Sequence, residues 1–224
     1  MKSRDNYYFK QATRTREQNI LNLSYGQFES DNDMGIPIIK NQDISISEID
    51  NSKLIGFNFA KTAKETKTKG LHFFLHDYQF ERVWNFPTRY LEILKNYKYV
   101  LSPDFSPYAD TPKAIQIFNL YRNRWCGRYW QENGIKVIPT ITIGNQADVD
   151  LFLTGIEKGC PIAISTMGEG RWANYKLLYS QYEKIVQTLN PLYIVMYGKD
   201  LSTQLNLISD CKIIYKPYSS TAGE

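Results

Sequence analysis

One stretch of the chain concentrates the residue types that do chemistry. Val100-Leu-Ser-Pro-Asp104 leads through Ser106 and Asp110 into a segment carrying Asn119, Arg122 and Arg124. A guanidinium is a planar, permanently charged fork that grips phosphate or carboxylate through paired N–H bonds. Helical spacing puts positions 115, 119, 122 and 126 on one face, so Asn119 and Arg122 sit in a stripe with Ile115 and Cys126. A polar pair in such a stripe needs partners, since an unpaired buried guanidinium is costly. Asp104, at the preceding strand end, is the expected counter-ion of Arg122. Two arrangements satisfy this pattern. One is an internal Asp–Asn–Arg clamp that holds the loop. The other is a pocket in which Arg122 or Arg124 holds an anion, Asp104 orients the arginine or a metal, and Asn119 fixes both.

Other candidates lie at neighbouring strand ends. Asp77, Asp104 and Asp110 form a possible carboxylate set for a divalent metal, with Asp104 and Asp77 as catalytic candidates in phosphoryl transfer or hydrolysis. Helix caps and turns use aspartate at the same places. His76 and Asp77 are adjacent and would face opposite ways on a strand, whereas His72 and His76 share a face, as core or as acid–base groups. Ser165-Thr-Met-Gly-Glu-Gly170 is a hydroxyl- and glycine-rich loop whose Ser165, Thr166 and Gly168 suit an anion near a helix start. It has neither the Lys-Ser/Thr of a P-loop nor GxGxxG. Tyr197-Gly198 closes another strand in the same manner. Lys113, Arg124 and Arg128 interleave with Tyr121, Trp125 and Tyr129, which serves nucleic-acid binding or plain packing equally well. No cysteine or serine sits in a nucleophile motif.

The elements that must position these groups follow a regular order from Gly70 onward. Strands are expected at 71–76, 99–101, 136–141, 161–165, 192–197 and 212–215. Helices are expected at 86–96, 112–132, 148–158, 172–188 and 201–208, with Pro87 in a first turn and Asn133-Gly134 as a stop. Near-continuous apolar strands such as Pro161–Ser165 and Tyr193–Tyr197 suit a parallel sheet covered on both faces. The expected fold is therefore α/β: a mostly parallel sheet with alternating helices, either open or a partial, TIM-like barrel. Ligands gather at the carboxyl ends of the strands in both. Six strands are too few for an eight-unit barrel unless residues 36–60 supply more. There, 36–40 suggests a short strand, 44–49 alternates apolar and polar residues, and 54–60 is an apolar run.

Residues 1–35 read as an irregular basic–aromatic arm, 36–217 as a single α/β domain and 218–224 as a flexible tail. Lys61–Lys69 is charged and apolar-poor, like a solvated loop. A net charge of +4 is too small to argue for nucleic acid unaided. The three scattered cysteines, without CxxC, fit reduced thiols and a cytoplasmic location. No apolar run approaches the length of a membrane span.

The segment from Leu101 to Thr140 resembles a bacterial and phage family called domain of unknown function 4417. The resemblance is carried by Ser102-Pro-Asp-Phe-Ser106, Pro112, Asn119, Tyr121-Arg122, Arg124, Gly134 and Val137-Ile-Pro139. It continues through Gly155, Ile164-Ser-Thr166, Gly168 and Tyr197-Gly198, and spans roughly residues 32–217. Ile143 departs from it, where an aromatic residue is expected. The resemblance implies a phage or mobile-element setting inside a bacterial host cell and a shared pocket, and names no reaction. The leading expectation is a protein binding or processing nucleic acid or another phosphate-bearing ligand at the carboxyl end of the sheet. A non-catalytic interaction protein with a protein partner and a metal-dependent hydrolase are the alternatives.

Overall fold

The protein is described by a computed structural model covering residues 21–22, 25–143, 148–167 and 175–219. Among these residues the strands are β1 (Lys53–Gly56), β2 (Lys69–His72), β3 (Tyr99–Leu101), β4 (Val137–Ile138), β5 (Ile162–Ser165), β6 (Ile194–Gly198) and β7 (Ile213–Pro217). They form a four-stranded sheet, β1-β2-β3-β4, and a three-stranded sheet, β5-β6-β7, every pairing parallel. A parallel bridge between Thr140 and Ala163 joins the two, so the strands stand in chain order from one edge to the other.

The side-chain alternation explains why this ribbon curls. On one face Leu54, Tyr99, Leu101, Ile138, Ala163, Val195, Tyr197 and Ile214 pack into a single cluster drawn from both edge strands as well as the middle. The opposite face packs outward: Ile55, Leu71, Val100 and Val137 against one helical layer, and Ile162, Ile164, Ile194, Met196 and Ile213 against another. Period-2 patterning with both faces apolar is what a curved, helix-covered parallel sheet requires. β1 and β7 are not paired to each other. Between them the Lys216 ammonium donates to the carbonyls of Ile49, Asp50 and Ser52 at 2.7, 3.1 and 2.7 Å. The architecture is a partial barrel built from open parallel sheets.

The helices are α1 (Ile46–Asp50), α2 (Arg82–Asn85), α3 (Pro87–Leu94), α4 (Lys113–Glu132), α5 (Val149–Leu153), α6 (Tyr175–Leu189) and α7 (Ser202–Leu205). The long helix α4 anchors one side: Trp125 and Trp130 are fully buried, and Trp125 stacks on Tyr129 at 4.9 Å. Its expected basic–aromatic surface is therefore mostly interior. Lys113 pairs with Asp148, and Arg128 with Glu132. None of the described helices is long and apolar enough to cross a membrane.

Three expectations change. The alternating segment 44–49 is helical, because Ser45 and Glu48 make a reciprocal capping box that fixes a helix start. Residues 53–56 supply the seventh strand, β1. Residues 36–40 form no strand, only a bridge from Ile39 to Ile156. The described part of the N-terminal segment packs on α4, where Trp125 Nε1 donates to the Gly26 carbonyl and Phe28 leans on the Trp125 ring.

Candidate functional site

The carboxyl ends of six strands surround one cleft of about 740 Å³. Gly56 and Asn58 follow β1, Phe74 and His76 follow β2, Asp104 and Ser106 follow β3. Ser165 ends β5, Tyr197 lies on β6, and Tyr218 comes just after β7. A stretch expected as a frayed tail thus begins by lining the cleft: Tyr218 faces the Tyr197 ring at 6.2 Å, and Ser219 N–H points at the Tyr197 hydroxyl.

The walls are largely aromatic. Phe74 and Tyr197 stack at 5.5 Å with 16° between their planes, and the His72 ring lies 4.3 Å from Tyr197. Asn58, Gln79, Asp104, Ser106 and Ser165 bring polar atoms to the same space. Among the described residues no lysine or arginine lines it.

His72 forms part of the floor. Alternation on β2 turns it to the barrel interior, where it is 1% exposed. Its Nδ1 accepts the Phe74 N–H at 3.2 Å. Burial pushes its pKa down to about 3, so the ring is neutral and its proton sits on Nε2. Among the described residues that Nε2 has no hydrogen-bond partner.

The rim is held by a chain of hydrogen bonds through the loop after β3. Asp77 accepts the Ser106 amide at 3.1 Å and the Ser106 hydroxyl at 2.9 Å. Asn119 donates to the Ser106 carbonyl at 2.7 Å and accepts Arg122 Nη2 at 2.6 Å. Arg122 Nη1 reaches Glu81 Oε1 at 2.5 Å, and its guanidinium lies 4.0 Å from the Phe105 ring centre. The acid facing Arg122 is thus Glu81 and not Asp104. The expected Asp104–Arg122 pair gives way because the Asp77–Glu81 segment folds over α4 and brings a carboxylate nearer. Arg122 and Asn119 clamp the loop and stand behind the cleft wall.

Arg124 is also internal. Its guanidinium donates to the carbonyls of Thr154, Thr140 and Phe152 and to Asn123 Oδ1 at 2.7–3.0 Å, with 1% exposure. Burial lowers its pKa to about 9, while the field of Asp104 works the other way. Asn123 continues the network, accepting from Ser102 and donating to Thr140, so the ends of β3 and β4 are stitched to α4. Neither arginine offers a free fork to an anion in the cleft.

The remaining candidates divide by position. Asp104 lines the cleft and accepts from Thr142. Asp110 is exposed in the turn before α4 and does not line the cleft. Among the described residues no three His, Cys, Asp or Glu side chains gather as a metal site, so the three aspartates do not form the expected set. Ser165 Oγ accepts the Met167 N–H. Thr166 bonds the backbone of Tyr197 and Lys199, tying β5 to β6. Gly198 has φ +114°, and a Cβ there would lie 2.7 Å from Thr166 Oγ1, so this close approach requires glycine. Gly168 lies outside the described residues.

Asn58, Phe74 and Tyr218 are cleft residues that motif spacing does not single out, whereas His72 is marked by its spacing from His76. Strand alternation carries a signal for His72, because it places that residue on the same face as Tyr99 and Leu101. Nothing local marks Tyr218.

Comparison with known proteins agrees with the pattern around Asp104. Residues 28–214 match the family described as Domain of unknown function (DUF4417). The Gene 1 protein of Mycobacterium phage L5 is 34% identical over 191 residues, covering 84% of this chain and 81% of that protein. The Gene 1 protein of Mycobacterium phage D29 is 38% identical over 130 residues, covering 58% of this chain and 48% of that protein. No solved structure matches the chain. With the family match running through both sheets and the cleft at their tips, the chain, similar to these mycobacteriophage proteins, belongs to the DUF4417 family.

Proposed function

We propose that the protein is a phage protein that binds a nucleobase-bearing ligand, a nucleotide or the end of a nucleic-acid strand, in the cleft at the carboxyl end of its strands. The observation that carries this reading is the stacked Phe74–Tyr197 pair beside polar groups that suit the edges of a base. Aromatic shelves hold bases of any sequence through their π-faces, and hydroxyl, amide and carboxylate groups then orient them. Asp104 accepts from a ring N–H or an exocyclic amine. The absence of lysine and arginine from the described lining makes the base the held end and leaves any phosphate at the solvent-facing mouth. An open, polar cleft also favours a ligand over the sealed pocket expected of a purely protein-binding module. The phage relatives support action inside a bacterial host cell.

Calorimetric titration with the four common ribonucleosides, their 5′-monophosphates and a short single-stranded oligonucleotide tests this. Nucleosides and nucleotides should bind with similar affinity, and Phe74→Ala should weaken binding by about 1–3 kcal/mol. Binding of the oligonucleotide alone, steeply salt-dependent and indifferent to Phe74→Ala, would place recognition on a phosphate-binding surface elsewhere and overturn the proposal.

A further inference from the structure

Seven buried side-chain polar atoms have no hydrogen-bond partner among the described residues, and of these only His72 Nε2 belongs to a residue lining the cleft. The donor is fixed in kind. Because His72 Nδ1 accepts the Phe74 N–H, the neutral ring carries its proton on Nε2. The donor is also fixed in place, since the imidazole packs against both rings of the stacked pair, Phe74 at 5.7 Å and Tyr197 at 4.3 Å. A buried N–H without an acceptor is costly, and a ligand that supplies the acceptor removes that cost on binding. The carboxylate of Asp104 lines the same space and disfavours a second anion there while welcoming an N–H.

Building on the nucleobase reading, we infer that His72 is a specificity-determining residue whose Nε2–H donates to a carbonyl oxygen of an uncharged ring, so that the cleft selects oxo-bases over bases lacking that oxygen. Ring stacking on Phe74 and Tyr197 supplies affinity without regard to substituents. The single buried donor supplies the choice among them. A site built around a polar contact rejects an analogue without the matching atom, because the site's own group is then left unpaired.

The test uses two matched pairs of probes on the full chain: inosine against purine riboside, and uridine against pyrimidin-2-one riboside. In each pair the second member lacks one ring carbonyl and, with it, the neighbouring ring N–H, so the share due to His72 is read from the variants. The wild-type protein should prefer the carbonyl-bearing member of at least one pair by on the order of tenfold. His72→Phe keeps a flat ring in the core but removes the donor, and should sharply reduce the preference. His72→Gln, which retains an N–H donor, should restore part of the preference. In NMR spectra the His72 Nε2–H resonance should shift on adding the preferred probe and not its partner. If the probes bind but both members of each pair bind alike, or if His72→Phe weakens both equally, the inference fails while the nucleobase reading stands. If no probe binds, both fail together.

Discussion

Asp77 accepts both the amide and the hydroxyl of Ser106, 29 residues further along the chain. This two-pronged bond joins the turn after β2 to the loop after β3, and so sets where the rim of the cleft lies. The same serine is gripped from behind through its carbonyl by Asn119, which Arg122 steadies in turn. Asp77→Ala removes an acceptor from two donors that are only partly exposed. It should lower stability by about 1–3 kcal/mol in urea unfolding and speed hydrogen exchange at the Ser106 amide. Asp77→Asn retains an acceptor for one donor and should fall between the two.

Arg122 is a clamp, and its substitution separates holding the loop from holding a ligand. Arg122→Met removes the bonds to Glu81 and Asn119 and the stacking on Phe105, yet keeps an apolar stem of similar reach. Glu81 is 39% exposed, so solvent screens that half of the pair and the bond to Asn119 matters more. The expected result is a drop in melting temperature with nucleoside affinity within about twofold of wild type. A selective loss of mononucleotide over nucleoside binding would instead make Arg122 an anion holder.

The buried histidine gives stability a pH dependence of known sign. His72 has its pKa depressed to about 3 from an ordinary 6.5, by burial. Between those values the unfolded chain takes up a proton that the folded chain refuses. Acid therefore favours unfolding. Stability attributable to His72 is complete above pH 6.5 and declines as pH falls toward 3, by about 1.4 kcal/mol per pH unit. Carboxylates with lowered pKa values, such as Glu48, lose their contribution mainly as pH falls below the ordinary 4.5 of the unfolded chain, so they add little between about pH 5 and 6.5. Denaturant unfolding across that window should show a loss of about 2 kcal/mol in wild type and a much flatter profile in His72→Phe. Equal slopes in the two proteins would remove His72 as the cause.

How far the chain could be read depended on the range of the interactions. The buried strands announced themselves through runs such as Ile162–Ser165, and Tyr99–Leu101 was bounded by its flanking polar residues. The long helix α4 was legible from its periodicity and its Asn133-Gly134 stop. β1 was not, because its four residues merge with the apolar turn Phe57–Phe59 that follows. Gathering Asp104, Ser106, Ser165 and Tyr197 on one rim follows from strand order alone, as parallel strands put their carboxyl ends together. Partner identity does not follow. Glu81 reaches Arg122 across 41 residues, and carbonyls that occupy Arg124 come from the C-terminal end of α5, which carries no sequence mark for that role. A sequence shows that a guanidinium must be satisfied, but only the packed chain decides by what.

The gap between β1 and β7 provides a last test, because a partial barrel must manage two unpaired edges. Here Lys216 replaces a strand pairing with one ammonium that donates to the carbonyls of Ile49, Asp50 and Ser52. The side chain is 7% exposed, and desolvation lowers its pKa. Three carbonyls at 2.7–3.1 Å nonetheless replace its hydration shell. Lys216→Met keeps the length and the apolar stem but takes a donor from all three carbonyls, of which that of Ile49 keeps the Ser52 amide and hydroxyl. It should cost about 2–4 kcal/mol, more than an exposed lysine could. Lys216→Arg keeps the charge but presents a planar fork to three convergent carbonyls, and should recover only part of the loss. Hydrogen exchange locates the effect: amides of β1 and β7 should lose protection before those of β3 and β4. Uniform loss across all strands would mean that Lys216 supports the whole core and does not join its edges.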